Sequence, residues 1–176
     1  MSTDIVLLSL INWTESLLTA ILNATTEATF NEAFDAFLSQ DVHITVNGKH
    51  VTREQYKKQL SSEKWTERTS DPASVAFEGA VEVPADKNEP ISNGVVGLFY
   101  KATIYGRFFI LGAPSASTVN SSLNVVIAQD KSIPAPVYPP GVRGDFDDRR
   151  VTVLNQVVTD QANPIVLPKP LAENSA

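Results

Sequence analysis

Apolar residues recur at helical spacing in the first third of the chain. Between residues 30 and 38 they lie three or four positions apart, on one side of an α-helix predicted to end near Gln40; they are Phe30, Ala33, Phe34, Phe37 and Leu38. A broader apolar stripe over residues 3–23 predicts an earlier helix. Thr52 and Gln55 form the capping-box pattern that starts a third helix.

An alternation of apolar and polar residues, typical of strands with one buried face, begins after residue 41. Val42, Ile44 and Val46 alternate with polar side chains. Asn47–Gly48 follows, a dipeptide suited to the positive φ angles of a tight turn. A strand and a hairpin turn therefore separate the second helix from the third.

Three later segments repeat the strand pattern, over residues 75–83, 95–105 and 123–128. In the first of them one face is predicted to carry the apolar residues Val75, Phe77, Val81 and Val83, with Glu82 on the other. Gly106–Arg107 is predicted to turn the chain after the second segment. Long strands facing three helices predict an α+β fold.

Residues 131–176 differ in character from the rest, and we interpret them as a Pro-rich extension of a domain over residues 1–130. Four prolines, Pro134, Pro136, Pro139 and Pro140, favour extended chain there. One added strand is predicted from Val151 to Val158, with Val151, Val153 and Val157 on one side. We expect the extension to belong to the same folding unit, as an arm that crosses the sheet or a partner subunit.

The run from Phe37 to Tyr56, with Asp41, the Asn47–Gly48 turn and Thr52, resembles the opening of the nuclear-transport-factor-2-like superfamily. The resemblance covers roughly residues 5–130 of this chain. It implies a cystatin-like cone, in which three N-terminal helices pack on a strongly bent mixed or antiparallel sheet. It also implies a homodimer formed through the outer sheet face. The family includes isomerases, dehydratases, polyketide cyclases, transport factors and association domains, so the fold does not determine a function.

Composition and charge narrow the classes of partner. The chain has 176 residues, 43% of them hydrophobic, with a net charge of −6 and a pI of about 4.9. It has no basic run, so neither a nucleic acid nor a membrane is an expected partner. It has no cysteine, which excludes disulfides and thiol catalysis. The N-terminal residues do not match a signal peptide, and we predict a cytoplasmic protein.

Candidate acid–base chemistry is sparse. The steroid-isomerase-like pattern of the family has a carboxylate late in the first strand, and the matching position here is Val46. The dehydratase-like pattern uses histidines and an aspartate, whereas this chain has only His43 and His50. Residues 95–128 contain no His, Asp or Glu. We therefore predict no catalytic residue, no cofactor and no metal site. His43 is either a polar group of a pocket or an exposed side chain.

Five aromatic residues are the best candidates for lining a pocket: Trp13, Tyr56, Trp65, Tyr100 and Phe109. The alternative is that they fill the core.

Three functions follow from these interpretations. The first is a non-enzymatic domain with an apolar cone-shaped cavity, which binds a small apolar ligand or a protein partner. The second is a lyase or isomerase acting on a polyketide- or terpenoid-like substrate, and the third is a purely structural homodimer with a filled core.

Overall fold

The computed structural model describes residues 8–67, 73–110, 113–137 and 146–162, leaving aside the side chains of 62–67, 104–110, 113–116 and 162. Three helices and six strands follow one another along these residues. In chain order they are α1 (Leu10–Asn23), α2 (Glu27–Phe37), β1 (Leu38–Val46), β2 (Lys49–Val51), α3 (Arg53–Glu67), β3 (Ser74–Pro84), β4 (Gly94–Ile110), β5 (Ala113–Gln129) and β6 (Arg149–Ala162). Prolines 139 and 140 and the residues after 162 lie outside the described part.

The helices begin where side chains satisfy the first free N–H groups. The predicted capping box of α3 is confirmed: the Thr52 hydroxyl accepts from the Gln55 N–H at 3.2 Å, and Gln55 Oε1 accepts from the Thr52 N–H at 3.0 Å. The helix predicted over residues 3–23 is confirmed from Leu10 onward, and residues 3–7 lie outside the described part. Ser9 caps α1 by accepting from the Asn12 N–H, and the preceding Leu8 is not helical.

The six strands form one mixed, curved and open sheet in the order β2-β1-β6-β5-β4-β3. Neighbouring strands are antiparallel except β1 and β6, which are parallel. Three helices pack on one face of this sheet, which confirms the predicted α+β cone. The added strand predicted near the C-terminus is β6, and it lies between β1 and β5 in the middle of the sheet.

The predicted faces of two strands are wrong because each pairing contains an irregularity. The register between β3 and β4 shifts between Phe77 and Gly79, so Val81 and Val83 are 63% and 62% exposed on the outer face. Glu82 is turned inward instead, where its Oε2 accepts from the Ile11 N–H at 2.8 Å. A carboxylate at this position also stabilises the positive end of the α1 dipole.

A second irregularity lies where β5 pairs with β6, between Val126 and Ile127. It places Val151 inside, whereas Val153 and Val157 are exposed. The predicted turn at Gly106–Arg107 is also wrong. β4 continues to Ile110 and pairs with β5 on both sides of a register shift between Tyr105 and Phe109.

Aromatic residues fill the space between the helices and the inner sheet face. Phe30, Phe34 and Phe37 of α2 are almost fully buried, and Phe34 contacts Tyr56 of α3 at 6.4 Å between ring centroids. Val96, Leu98, Leu123 and Leu154 oppose them from the sheet. Within the described residues, no helix is long and apolar enough to cross a membrane.

Candidate functional site

Four buried polar side chains meet inside the cone, and we call them the Gln156 cluster: Tyr56, Tyr100, Ser121 and Gln156. The Tyr56 hydroxyl donates to Gln156 Oε1 at 2.9 Å. The amide Nε2 of Gln156 donates to the Tyr100 hydroxyl at 3.1 Å and to Ser121 Oγ at 2.9 Å. One amide therefore connects a helix to two strands besides its own.

Strand alternation explains why these side chains meet. Gln156 follows Leu154 by two residues on β6, so both point inward. Tyr100 and Ser121 are directly paired across β4 and β5, and Tyr56 reaches the amide from the first turn of α3. The Gln156 carbonyl also accepts from the Asn47 N–H at 2.9 Å, which joins the cluster to the β1–β2 turn.

Beside the cluster lies a cavity of about 30 Å³, roughly the volume of one water molecule in the liquid. Its walls are mainly apolar and come from α1, α3, β4, β5 and β6. The lining residues are Leu22, Gln59, Leu60, Tyr100, Ala102, Val119, Gln156 and Val158. The cavity in this conformation is large enough for a water molecule and too small for an organic ligand.

The chemistry that the cluster offers is neutral hydrogen bonding. Amides, phenols and aliphatic hydroxyls keep no net charge near pH 7. Neither an imidazole nor a carboxylate is among the described residues that line the cavity. The arrangement can bind a water, hydroxyl or carbonyl group, but it presents no base of the kind that removes protons near neutral pH.

The opposite face of the sheet carries three rows of residues in cross-strand register, which we call the outer face. The first row contains Val83, Val95, Val126, Val153 and His43; the second contains Val81, Gly97, Asn124, Asn155 and Thr45; the third contains Gly79, Phe99, Ser122 and Val157. Seven of these residues are large apolar side chains that are more than a third exposed. Single exposed valines are ordinary, but an in-register group of this size marks an interaction surface.

No known protein family and none of the curated proteins matches this sequence. Solved structures do match. A putative scytalone dehydratase from Novosphingobium aromaticivorans is similar with a TM-score of 0.57 and 10% identity, over 94% of this chain and 95% of that one. A conserved protein from Planctomyces limnophilus has a TM-score of 0.53 and 10% identity, over 86% and 98%. The chain has the nuclear-transport-factor-2-like fold.

A third structure with a similar fold is the hexachlorocyclohexane dehydrochlorinase LinA-type3 from Novosphingobium barchaimii, with a TM-score of 0.50 and 10% identity over 92% of each chain. At 10% sequence identity these structures share the nuclear-transport-factor-2-like fold with this chain, but the similarity does not show that they share a reaction. The resemblance seen in the sequence is thus confirmed at the level of the fold.

The structure brings only some of the predicted pocket residues together. Tyr56 and Tyr100 belong to the Gln156 cluster. Trp13 is buried away from it, against Phe37 at 5.8 Å between ring centroids. His43 is exposed at the sheet edge, where its ring stacks on His50 at 4.7 Å. The side chains of tryptophan 65 and phenylalanine 109 lie outside the described part of the structure.

Gln156 and Ser121 were absent from the sequence prediction. Isolated glutamine and serine residues carry no motif, and the run Asn120–Ser122 suggests a turn, whereas the structure continues β5 through it. One signal was available for Gln156, because it occupies an inward position between Leu154 and Val158 in a strand pattern. A polar residue at an apolar position of this kind must find partners inside the fold.

Arg149 forms a second buried polar site at the other end of the nuclear-transport-factor-2-like cone. Its guanidinium donates to both carboxylate oxygens of Asp147, at 2.9 and 2.7 Å, and to the carbonyls of Leu8 and Ile91 at 2.9 Å. It also lies 5.3 Å from the centre of the Trp13 ring. Arg149 is 3% exposed and joins the chain before α1, the β3–β4 connection and β6.

The charge of Asp147 is stabilised by these contacts. Partial burial acts to raise the pKa of its carboxyl group, but hydrogen bonds from the Arg149 side chain and backbone, together with the guanidinium charge, outweigh burial and lower the pKa below its usual value. The pair therefore stabilises the fold where Asp147 is ionised.

A larger depression of about 630 Å³ lies on the surface between α2 and α3. Its walls are charged side chains of both helices, including Glu27, Glu54 and Lys57. Phe30, which also lines it, is 1% exposed. We consider the Gln156 cluster and the outer face the better candidate sites.

Proposed function

We propose that this chain is a non-enzymatic association domain of the cytoplasm that pairs with a second copy of itself through the outer face. The observation that carries the proposal is the first row of that face. Val83, Val95, Val126 and Val153 lie side by side across four strands, each more than a third exposed. Covering such a row with a second copy removes apolar surface from water.

The distribution of charge makes the outer face the surface on which two copies would repel each other least. The chain carries a net charge of −6, so two copies repel each other over most of their surfaces. The three rows contain no Asp, Glu, Lys or Arg. Charged groups lie beyond them, with the Lys101–Glu78 ion pair at one end and Arg150 at the other. An uncharged centre with a charged rim is the usual arrangement of a protein interface.

The dimensions of the face are consistent with this proposal. Five strands about 4.8 Å apart, with five residues of each strand rising about 3.4 Å per residue, span roughly 24 by 17 Å. Stable interfaces bury about 800 Å² of accessible surface on each partner. The three rows therefore supply the centre of such an interface, and the flanking charged rows supply its rim.

Val126→Glu tests the proposal, because it places a carboxylate in the middle of the first row. We expect the wild-type protein to sediment as a dimer and the variant as a monomer. The dissociation constant should rise at least about 100-fold, since an unpaired charge in an interface costs several kcal/mol. Analytical ultracentrifugation over a concentration series measures both species.

Val137→Glu is the matched control, since Val137 is 97% exposed in the connection before β6 and belongs to none of the three rows. It adds the same charge and should leave the dimer intact. A wild-type protein that remains monomeric at the highest concentration reached, or a Val126→Glu variant that dimerises as well as Val137→Glu, would overturn the proposal.

A second candidate function is the binding of a small neutral ligand at the Gln156 cluster, which the hydrogen-bonding groups beside the apolar cavity favour. A ligand larger than water needs more space than the cavity offers, which shortening a lining side chain such as Leu60 would provide. We expect Leu60→Ala to bind phenol, whose ring would occupy the space vacated by leucine while its hydroxyl meets the cluster. Calorimetric titration should show this binding, and Leu60→Ala with Gln156→Leu should lose it. Equal phenol affinity in both variants would contradict a role for the amide.

A further inference from the structure

The second row of the outer face places two amides between two apolar rows. Gly97, Asn124 and Asn155 are consecutive cross-strand partners on β4, β5 and β6. A side-chain carbon at Gly97 would lie 2.9 Å from Asn124 Oδ1, so the Asn124 amide covers the glycine. Both asparagines are exposed, with valines of the first row on one side and Phe99 and Val157 on the other.

These amides have unused hydrogen-bonding capacity. Within the described part of the chain, no hydrogen bond joins the side-chain amide of Asn124 or Asn155 to another residue. Water satisfies them in a single copy. If a second copy covers the outer face, each amide loses water, and an unsatisfied buried amide costs about 1–3 kcal/mol.

An amide has the property that a twofold interface requires. It carries a donor and an acceptor, so it can bond to the identical amide of a second copy in both directions. Valine rows alone do not specify an arrangement, because apolar surfaces pack in several registers at similar energy. A polar group in an apolar interface penalises every arrangement that leaves it unpaired, as a single core asparagine does in coiled coils.

We infer that Asn124 and Asn155 hydrogen-bond to the same two residues of a second copy and thereby set the single orientation in which two copies pair. The inference rests on the proposed dimer and adds the residues that give it specificity. The valines and Phe99 contribute the affinity, and the two amides select one arrangement among those that the apolar rows would accept.

The test uses the absence of cysteine from the chain, which makes one introduced cysteine a unique labelling site. Ser16→Cys, on the exposed side of α1 and away from the outer face, carries a spin label. Pulsed electron spin resonance then measures the distance between the two labels of a dimer. The wild-type face should give one narrow distribution, and Asn124→Leu with Asn155→Leu should give a broad or multiple one while the dimer persists.

Asn120→Leu is the matched control, because Asn120 lies on the same strand beside the Lys101 end of the face, outside the three rows. It should retain the narrow distribution. Asn124→Thr with Asn155→Thr, which keeps the surface polar but removes both amides, provides the same readout if the leucine variant aggregates. A narrow distribution in the doubly substituted proteins would overturn this inference and leave the dimer standing. A monomeric wild-type protein would overturn the dimer itself.

Discussion

Arg149→Met is expected to lower the free energy of unfolding by about 4 kcal/mol, because the four hydrogen bonds of its buried guanidinium disappear at about 1 kcal/mol each. Methionine fills similar space but donates no hydrogen bond. The variant leaves the Asp147 carboxylate without its cation and the carbonyls of Leu8 and Ile91 without their donor. Urea unfolding followed by circular dichroism measures the loss.

Arg150→Met is the matched control for this prediction. Arg150 is the next residue, is more exposed, and among the described residues donates only to the nearby carbonyls of Asp147 and Arg149. Its replacement should change the free energy of unfolding by less than about 1 kcal/mol. Similar losses in the two variants would show that the buried hydrogen bonds of Arg149 contribute no more to stability than those of the more exposed Arg150.

The Arg149 site also predicts a dependence of stability on pH. Because the pKa of Asp147 is lowered in the folded protein, the pair's contribution is fully present above the unfolded pKa of that carboxyl group and is lost as pH falls through the folded value. The wild-type protein should therefore lose stability below about pH 4, where aspartate side chains ionise in unfolded chains. Arg149→Met should lose less over the same range, which unfolding curves at a series of pH values will reveal.

Gln156→Leu is expected to lower the free energy of unfolding by about 3 kcal/mol, since three buried hydrogen bonds disappear at about 1 kcal/mol each. The Ser121 hydroxyl loses its bond to the amide, and the two tyrosine hydroxyls each lose one bond. Leucine has nearly the same volume, so packing changes little. Gln161→Leu on the exposed end of the same strand is the control and should be nearly neutral.

A double substitution separates the contribution of the hydrogen bond to stability from the contribution of packing. Removing the serine hydroxyl as well, in Gln156→Leu with Ser121→Ala, should cost about 1 kcal/mol less than the sum of the two single effects, because the bond between Ser121 and the amide is then counted once rather than twice. Strict additivity in this cycle would contradict the hydrogen bond as the source of the stability.

The sequence identified the parts of the fold that depend on neighbouring residues. The α3 capping box, the Asn47–Gly48 turn and the apolar stripe of α2 are decided within a few positions, and the structure confirms them. The faces of β3 and β6 were predicted wrongly for a physical reason. Strand alternation has a period of two, so one irregularity in the pairing moves every later side chain to the opposite face.

The candidate sites also combine features that are visible locally in the sequence with contacts between distant residues, which are not. Aromatic residues such as Tyr56 and Tyr100 are conspicuous in a sequence, and both belong to the Gln156 cluster. Gln156 and Arg149 gain their importance from residues 100 and 141 positions away, which no local pattern reveals. The rows of the outer face likewise depend on the registers of four pairings. The valines are visible in the sequence, but their side-by-side arrangement follows only from these registers.

The position of β6 affects how the protein is made. β1 pairs with a strand more than 100 residues later, so the sheet has a gap between β1 and β5 until residues 149–162 have left the ribosome. Contacts this distant in sequence slow folding. During synthesis both strand edges are therefore open to pairing with other nascent chains, and we expect chaperones to hold the growing polypeptide until β6 emerges.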